Sequence, residues 1–132
     1  MDLNLRLKLG HTVAWREALE PLLGLWSVIV ATQEELRQLW GTDDPQELFE
    51  TGLLYAGQIL VVKRGPRGAF AQWRDHRIDV SGVQVEHVVD TVGAGDGFAA
   101  GVIAGRLKGL GWAEFCHGQL GRRLCCGSPG GL

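Results

Sequence analysis

The stretch Asp90-Thr91-Val92-Gly93-Ala94-Gly95-Asp96 joins a glycine-rich turn to the small, apolar run from Phe98 to Leu107. A turn of this kind that opens a helix presents backbone N–H groups with no partner in the helix, together with the positive end of the helix dipole. Glycine removes the side chain that would keep phosphate oxygens at a distance. Gly93, Ala94 and Gly95 are thus candidates for an anion hole. Asp96, at its inner edge, is placed to take a proton from an attacking hydroxyl while the amides stabilise charge on a transferred group. The same residues also suit an ordinary helix start in which Asp96 is only a favourable first-turn charge, and the spacing alone leaves both readings open. The helix should end near Gly109, and Gly97, Gly101 and Gly105 recur every four residues along it, a stripe that favours close packing on a sheet or ligand.

Upstream, strand and helix signals alternate. Residues 2–9 place Leu3, Leu5, Leu7 and Leu9 against Asp2, Asn4, Arg6 and Lys8, the pattern of a half-buried strand or of a strand end turning into a polar loop. Thr12 to Leu23 carries a helical apolar stripe that Pro21 should kink or shorten and Gly24 should end. Trp26 to Ala31 is a continuous apolar run, the mark of a strand buried on both faces. Thr32 to Trp40 begins Thr-Gln-Glu-Glu, so that Thr32 and Glu35 can form a capping box, and Gly41 stops the helix. A second helix is expected from Pro45 to about Ala56, with Asp44 as N-cap and Glu47 completing another capping box. Gln58 to Lys63 reads as a buried strand, Gly65 to Gly68 as a turn, and Ala69 to Trp73 as a strand completing a hairpin. Arg77 to Val80 and Gln84 to Val88 are further strand candidates. Such alternation predicts an α/β architecture.

Composition bounds the rest. The 132 residues are 45% hydrophobic and 21% charged, enough for one domain or part of one. The 20 glycines are roughly twice the usual frequency, without a collagen-like period. A formal charge of −2 with interspersed signs gives no footprint for nucleic acid or an anionic membrane. No apolar run approaches the ~20 residues of a membrane span, and the N-terminus has no signal core, so a cytoplasmic setting is expected. Cys116, Cys125 and Cys126 make a poor disulfide framework, and the four histidines lack ligand spacing.

The segment from Asp90 to Asp96 resembles the C-terminal signature of the ribokinase-like (PfkB) carbohydrate kinases, and other landmarks follow in the family's order. Asp2-x-Asn4-x-Arg6 is similar to a family segment ending a central strand. Glu35 falls where the family's Asn-x-x-Glu motif has its glutamate, with Thr32 in place of the asparagine. Lys63-Arg64-Gly65-Pro66-Arg67-Gly68 resembles the turn that lies beside the nucleotide. The resemblance implies a three-layer α/β/α fold, of which this chain is the C-terminal portion, a mostly parallel sheet flanked by helices. It implies ATP-dependent phosphoryl transfer to a hydroxyl of a small-molecule sugar or sugar acid. Asp96 would be the base, Gly93, Ala94 and Gly95 the anion hole, and Glu35 a helper for Mg2+ acting through water. Lys63, Gly65 and Gly68 would face the nucleotide, and Arg6, Asn4 and Asp90 the substrate or phosphate. The loop of Asp90 also admits K+. Among subfamilies the pattern looks most like 2-keto-3-deoxygluconate kinase, with fructose or ribose as alternative substrates.

The resemblance covers residues 1 to about 115, and residues 116–132 resemble nothing in the family. Read one nucleotide later, the codons of Gly118-Gln119 and Gly121 to Arg123 could encode the family's alanine-rich helix, so a frameshifted tail is one expectation. The family's N-terminal half, with most of the sugar pocket, has no counterpart here. The expectation is a chain that starts mid-domain, shows little turnover alone, and presents a sheet edge prone to homo-oligomer formation. A non-catalytic product and a small phosphate- or nucleotide-binding module remain as alternatives.

Overall fold

A computed structural model describes residues 1–5, 11–82 and 94–109. The elements follow in the order α1 (Thr12–Leu23), β1 (Val28–Thr32), α2 (Gln33–Trp40), α3 (Pro45–Glu50), β2 (Ile59–Lys63), β3 (Ala69–Trp73), β4 (His76–Val80) and α4 (Ala94–Leu107). The four strands form one sheet in the order β1-β2-β3-β4. β1 and β2 are parallel, with Val28 opposite Ile59 and Thr32 opposite Lys63. The five-residue and two-residue links that follow β2 and β3 are too short for a crossover, so those neighbours run antiparallel and the sheet is mixed.

The chain divides into two compact units, residues 1–64 with 70–77, and residues 65–69 with 78–132. In the first, Ile29 to Ala31 and Leu60 to Val62 are all buried. Successive strand side chains point to opposite faces, so three buried in a row means that both faces of β1 and β2 are covered. On one face Ile29, Ala31, Leu60 and Val62 form a core with Leu19 and Leu23 of α1, Leu36 and Leu39 of α2, Leu48 of α3, Leu3 and Phe70.

The strand expected over residues 2–9 is short where it is described. Asp2 bridges Val30 in parallel, Leu3 donates its amide to the Val30 carbonyl, and Val30 donates to the carbonyl of Met1. The backbone then turns at Asn4, with φ +44. Of the two readings of this segment, the strand end entering a loop is the one observed, and residues 6–10 lie outside the described ones.

α1 spans Thr12–Leu23 with Gly24 at its C-cap, the bounds expected, and Pro21 within it does not shorten it. Proline withholds one N–H in the last turn, while Leu19 and Leu23 on the same helix are buried in the core, and that burial outweighs the loss. α3 ends at Glu50, well short of Ala56, because Gly52 adopts φ +76 and the Leu54 amide turns back to the Leu48 carbonyl. Its second capping box does not form: Asp44 Oδ1 caps Gln46 N, and the Asp44 amide donates to Thr42 Oγ1 instead of reaching Glu47. α2, by contrast, has the complete Thr32–Glu35 capping box and a left-handed Gly41 at its end.

Gln58, 5% exposed, fastens the end of α1 to the start of β2. Its Nε2 donates to the carbonyls of Leu23 at 2.6 Å and Trp26 at 2.7 Å, and its Oε1 accepts the Tyr55 amide at 2.6 Å. Gln58→Leu keeps the volume and removes all three bonds from a site that water reaches poorly. Urea denaturation is expected to show a loss of about 2–4 kcal/mol; a loss below ~1 kcal/mol would mean that solvent replaces the clamp.

In the second unit the turn Gly65–Arg67 is a 3-10 turn, closed by the Gly68 amide on the Gly65 carbonyl. It packs against the backbone of residues 80–82: a Cβ on Gly68 would lie 2.0 Å from the Val80 carbonyl oxygen, and one on Gly82 would lie 1.9 Å from that of Pro66. α4 buries Gly101, Val102 and Gly105, half-buries Gly97 and leaves Ile103 and Leu107 exposed, so the glycine stripe lies on the more buried side of the helix. The strand expected over Gln84 to Val88 lies outside the described residues. Among the described residues no helix is long and apolar enough to cross a membrane.

Candidate functional site

Parallel pairing puts the carboxyl ends of neighbouring strands on one edge of the sheet. The Met1–Leu3 segment, β1 and β2 all end there, so Asn4, Thr32 and Lys63 are gathered by topology although they are distant in sequence. In open α/β sheets this edge is where ligands bind.

Three candidate residues stand on it. Asn4 is exposed at its left-handed turn. Glu35, in the first turn of α2, is 9% exposed, and both of its carboxylate oxygens are engaged. Oε2 accepts the Thr32 amide at 2.7 Å and Oε1 accepts the Leu5 amide at 2.7 Å, while Thr32 Oγ1 accepts the Glu35 amide at 3.1 Å. Lys63 does not extend freely from the end of β2. Its Nζ lies 3.0 and 3.2 Å from the two carboxylate oxygens of Asp2, with the two side chains 18% and 19% exposed. The lysine charge is therefore largely balanced inside the protein, which weakens it as a sole ligand for a nucleotide phosphate.

Reading the sequence missed Asp2 as the partner of Lys63 and the Leu5 amide as the partner of Glu35. For Asp2 a signal existed: strand alternation puts Asp2 and Asn4 on one face, so a charge next to a candidate ligand was visible. No local pattern announces the Leu5 bond. Arg64, next along the chain, lies with its guanidinium 5.2 Å from the Phe70 ring centroid, and Arg77 lies 3.8 Å from the same ring. These are cation–π contacts, which such planar cations favour on aromatic faces.

The remaining described candidates belong to the second unit. Gly65 has φ +59 with open space where a Cβ would project, whereas Gly68 has φ +90 and is hemmed in by backbone. α4 begins at Ala94, so the amides of Ala94, Gly95 and Asp96 are among those that a helix leaves without internal partners. Asp96 is exposed in that first turn. Arg6, Asp90 and Gly93 lie outside the described residues.

Does Glu35 suit magnesium? Each carboxylate oxygen has two acceptor directions and uses one on a backbone amide. Direct coordination would compete with two short bonds, but a metal-bound water can donate to the directions left over. The residue thus fits a role through water. Among the described residues no group of three or more His, Cys, Asp or Glu side chains is disposed to hold a metal directly.

Comparison with known proteins fixes the class. A crystal structure of a candidate ribokinase II from E.coli, in complex with ATP and Mg2+, superposes with a TM-score of 0.73 and 26% identity over 94% of this chain and 40% of its own. The fold is that of the ribokinase-like α/β kinases. A 2-dehydro-3-deoxygluconokinase of Bacillus subtilis (strain 168) is 38% identical over 76 residues, 58% of this chain and 24% of the relative. A probable fructokinase-7 of Arabidopsis thaliana is 36% identical over 110 residues, 77% of this chain and 31% of the relative. The family model described as pfkB family carbohydrate kinase matches residues 1–118, and the chain belongs to that family of phosphotransferases. It spans 24% and 31% of the length of these two curated relatives.

Proposed function

We propose that these residues supply the nucleotide and catalytic side of ATP-dependent phosphoryl transfer to a sugar-acid hydroxyl, of the 2-keto-3-deoxygluconate type. The observation that carries the reading is Asp96, exposed in the first turn of α4, a helix start whose first amides have no partners within the helix, in a chain of the pfkB family. The Asp96 carboxylate accepts the proton of the acceptor hydroxyl as its oxygen attacks the γ-phosphorus of ATP. The bond from that phosphorus to the bridging oxygen breaks, ADP leaves, and the phosphate ester and protonated Asp96 remain. Amides at the start of α4 hold the equatorial oxygens and stabilise their charge. Magnesium bound with ATP would supply further positive charge at the β- and γ-oxygens, with Glu35 holding one of its waters. Asn4 is placed at the carboxyl edge for the acceptor or a phosphate oxygen, and Gly65 and Gly68 shape the turn for the nucleotide.

The sugar acid is favoured over fructose because the gluconokinase relative has the higher identity, 38% against 36%, although over a shorter stretch. A second reading, favoured by the share of the relatives that these residues cover, is binding of phosphate or nucleotide without turnover. One assay separates them: the 132-residue chain with Mg2+, γ-labelled ATP and, in parallel, 2-keto-3-deoxygluconate, fructose and ribose. Label in the sugar acid at ten times the rate in the other two supports the proposal. ATP binding without label in any sugar selects the binding module, and absence of ATP binding overturns both.

A further inference from the structure

A capping box needs one oxygen of its glutamate, and Glu35 uses both. Oε2 closes the box on the Thr32 amide, and Oε1 reaches out of the helix to the Leu5 amide, thirty residues away in sequence, at 2.7 Å. Leu5 follows the left-handed Asn4 and packs its side chain against the core, so the bond falls on the far side of the turn that carries the exposed Asn4 side chain. The bridge to Val30 ends before this turn, at Leu3. The carboxylate is therefore a fastening for backbone that the sheet no longer holds.

We propose that Glu35 is a positioning residue that holds the Asn4–Leu5 turn on the β1–α2 junction, and so couples the acceptor-side segment to the helix that serves the metal–nucleotide. The inference rests on the kinase reading above. The chemistry of the group suits the task. A carboxylate is an acceptor at both oxygens, and bonds from N–H groups to a charged acceptor are about twice as strong as neutral ones. An amide side chain at this position would turn an NH2 group toward one of the two backbone donors. A shift in the first turn of α2, such as one drawn by a water-bridged metal, is passed through the same side chain to Leu5 and hence to Asn4.

The test uses the full 132-residue chain, isotope-labelled, as the wild type, as Glu35→Gln, and as Glu35→Asp, which keeps the charge on a shorter arm. MgADP is the probe. Hydrogen exchange at the Leu5 amide is expected to rise at least tenfold in both variants, with Ile29 to Ala31 and Leu60 to Val62 unchanged within twofold, which also shows that the core is folded. On saturation with MgADP the Leu5 amide resonance should move in the wild type. In the variants it should stay in place when each is saturated with MgADP, at the concentration its own binding titration requires. Equal protection of Leu5 in all three proteins overturns the proposal, as does a wild-type Leu5 resonance that is silent when MgADP is bound. A wild type that fails to bind MgADP, yet whose Leu5 exchange depends on Glu35, overturns the kinase reading and with it the coupling, but leaves the anchor standing.

Discussion

Asp96→Asn is expected to lower phosphorylation of the sugar acid by about a hundred- to ten-thousandfold, the range that removal of a positioned general base produces. Asparagine keeps the size of the side chain and a hydrogen-bonding oxygen, but it cannot carry away the proton of the attacking hydroxyl. Asp96 is exposed, so the substitution should leave stability nearly unchanged. Nucleotide affinity should hold or tighten slightly, since a negative charge is removed from beside the phosphates. The measurement is single-turnover transfer from γ-labelled ATP over hours, which is sensitive to slow catalysis, paired with equilibrium binding of ATP. A variant that transfers label within threefold of the wild type would remove Asp96 from the mechanism. A variant that loses transfer and ATP binding together would make Asp96 part of the binding site and not the base.

The second large effect falls on the turn. Gly68→Ala should destabilise the fold by about 2–4 kcal/mol. A φ of +90 strains any residue with a Cβ, at a cost of ~1–3 kcal/mol, and here the added carbon would also sit 2.0 Å from the Val80 carbonyl oxygen and 2.4 Å from the Gly82 amide nitrogen. Both neighbours are backbone, so neither can swing aside as a flexible side chain would. Gly65→Ala is the control: its φ is also positive, +59, but nothing stands within 4 Å of the new carbon, and a loss of only about 1 kcal/mol is expected. Thermal or urea denaturation of the pair decides it. Equal losses would mean that backbone angle alone matters and that the close approach to residues 80–82 does not.

What could be read from the sequence, and what could not, divides by distance along the chain. The capping box of Thr32 and Glu35 is three residues long, and its pattern announced it. The buried strands β1 and β2 were announced by their apolar runs, and α4 by its glycine-rich start. α3 was overread because Leu53 and Leu54 continue a helical apolar stripe, whereas the structure turns the chain at Gly52 to bury Leu54 another way. Of the candidate site, the residue types were legible and their partners were not. Nothing near Glu35 in sequence points to Leu5, and the alternation that showed the charge of Asp2 did not show that Lys63 would meet it, because those contacts exist only after parallel strands have been set side by side. Gly68 illustrates the same limit. Its turn could be foreseen, but the need for an absent side chain arises from Val80 and Gly82, which no turn signal mentions.

The bridge between Asp2 and Val30 also sets an order in time. Met1 to Leu3 have no strand to join until Val28 to Thr32 is in place, and the ion pair of Asp2 with Lys63 closes a loop of 61 residues that cannot form before β2 has docked. Contacts that close long loops carry their entropy cost before they return anything. The Met1–Leu3 segment thus joins its sheet only after β1 has formed, and the piece of backbone bearing Asn4 is held by what β1, α2 and β2 have already built.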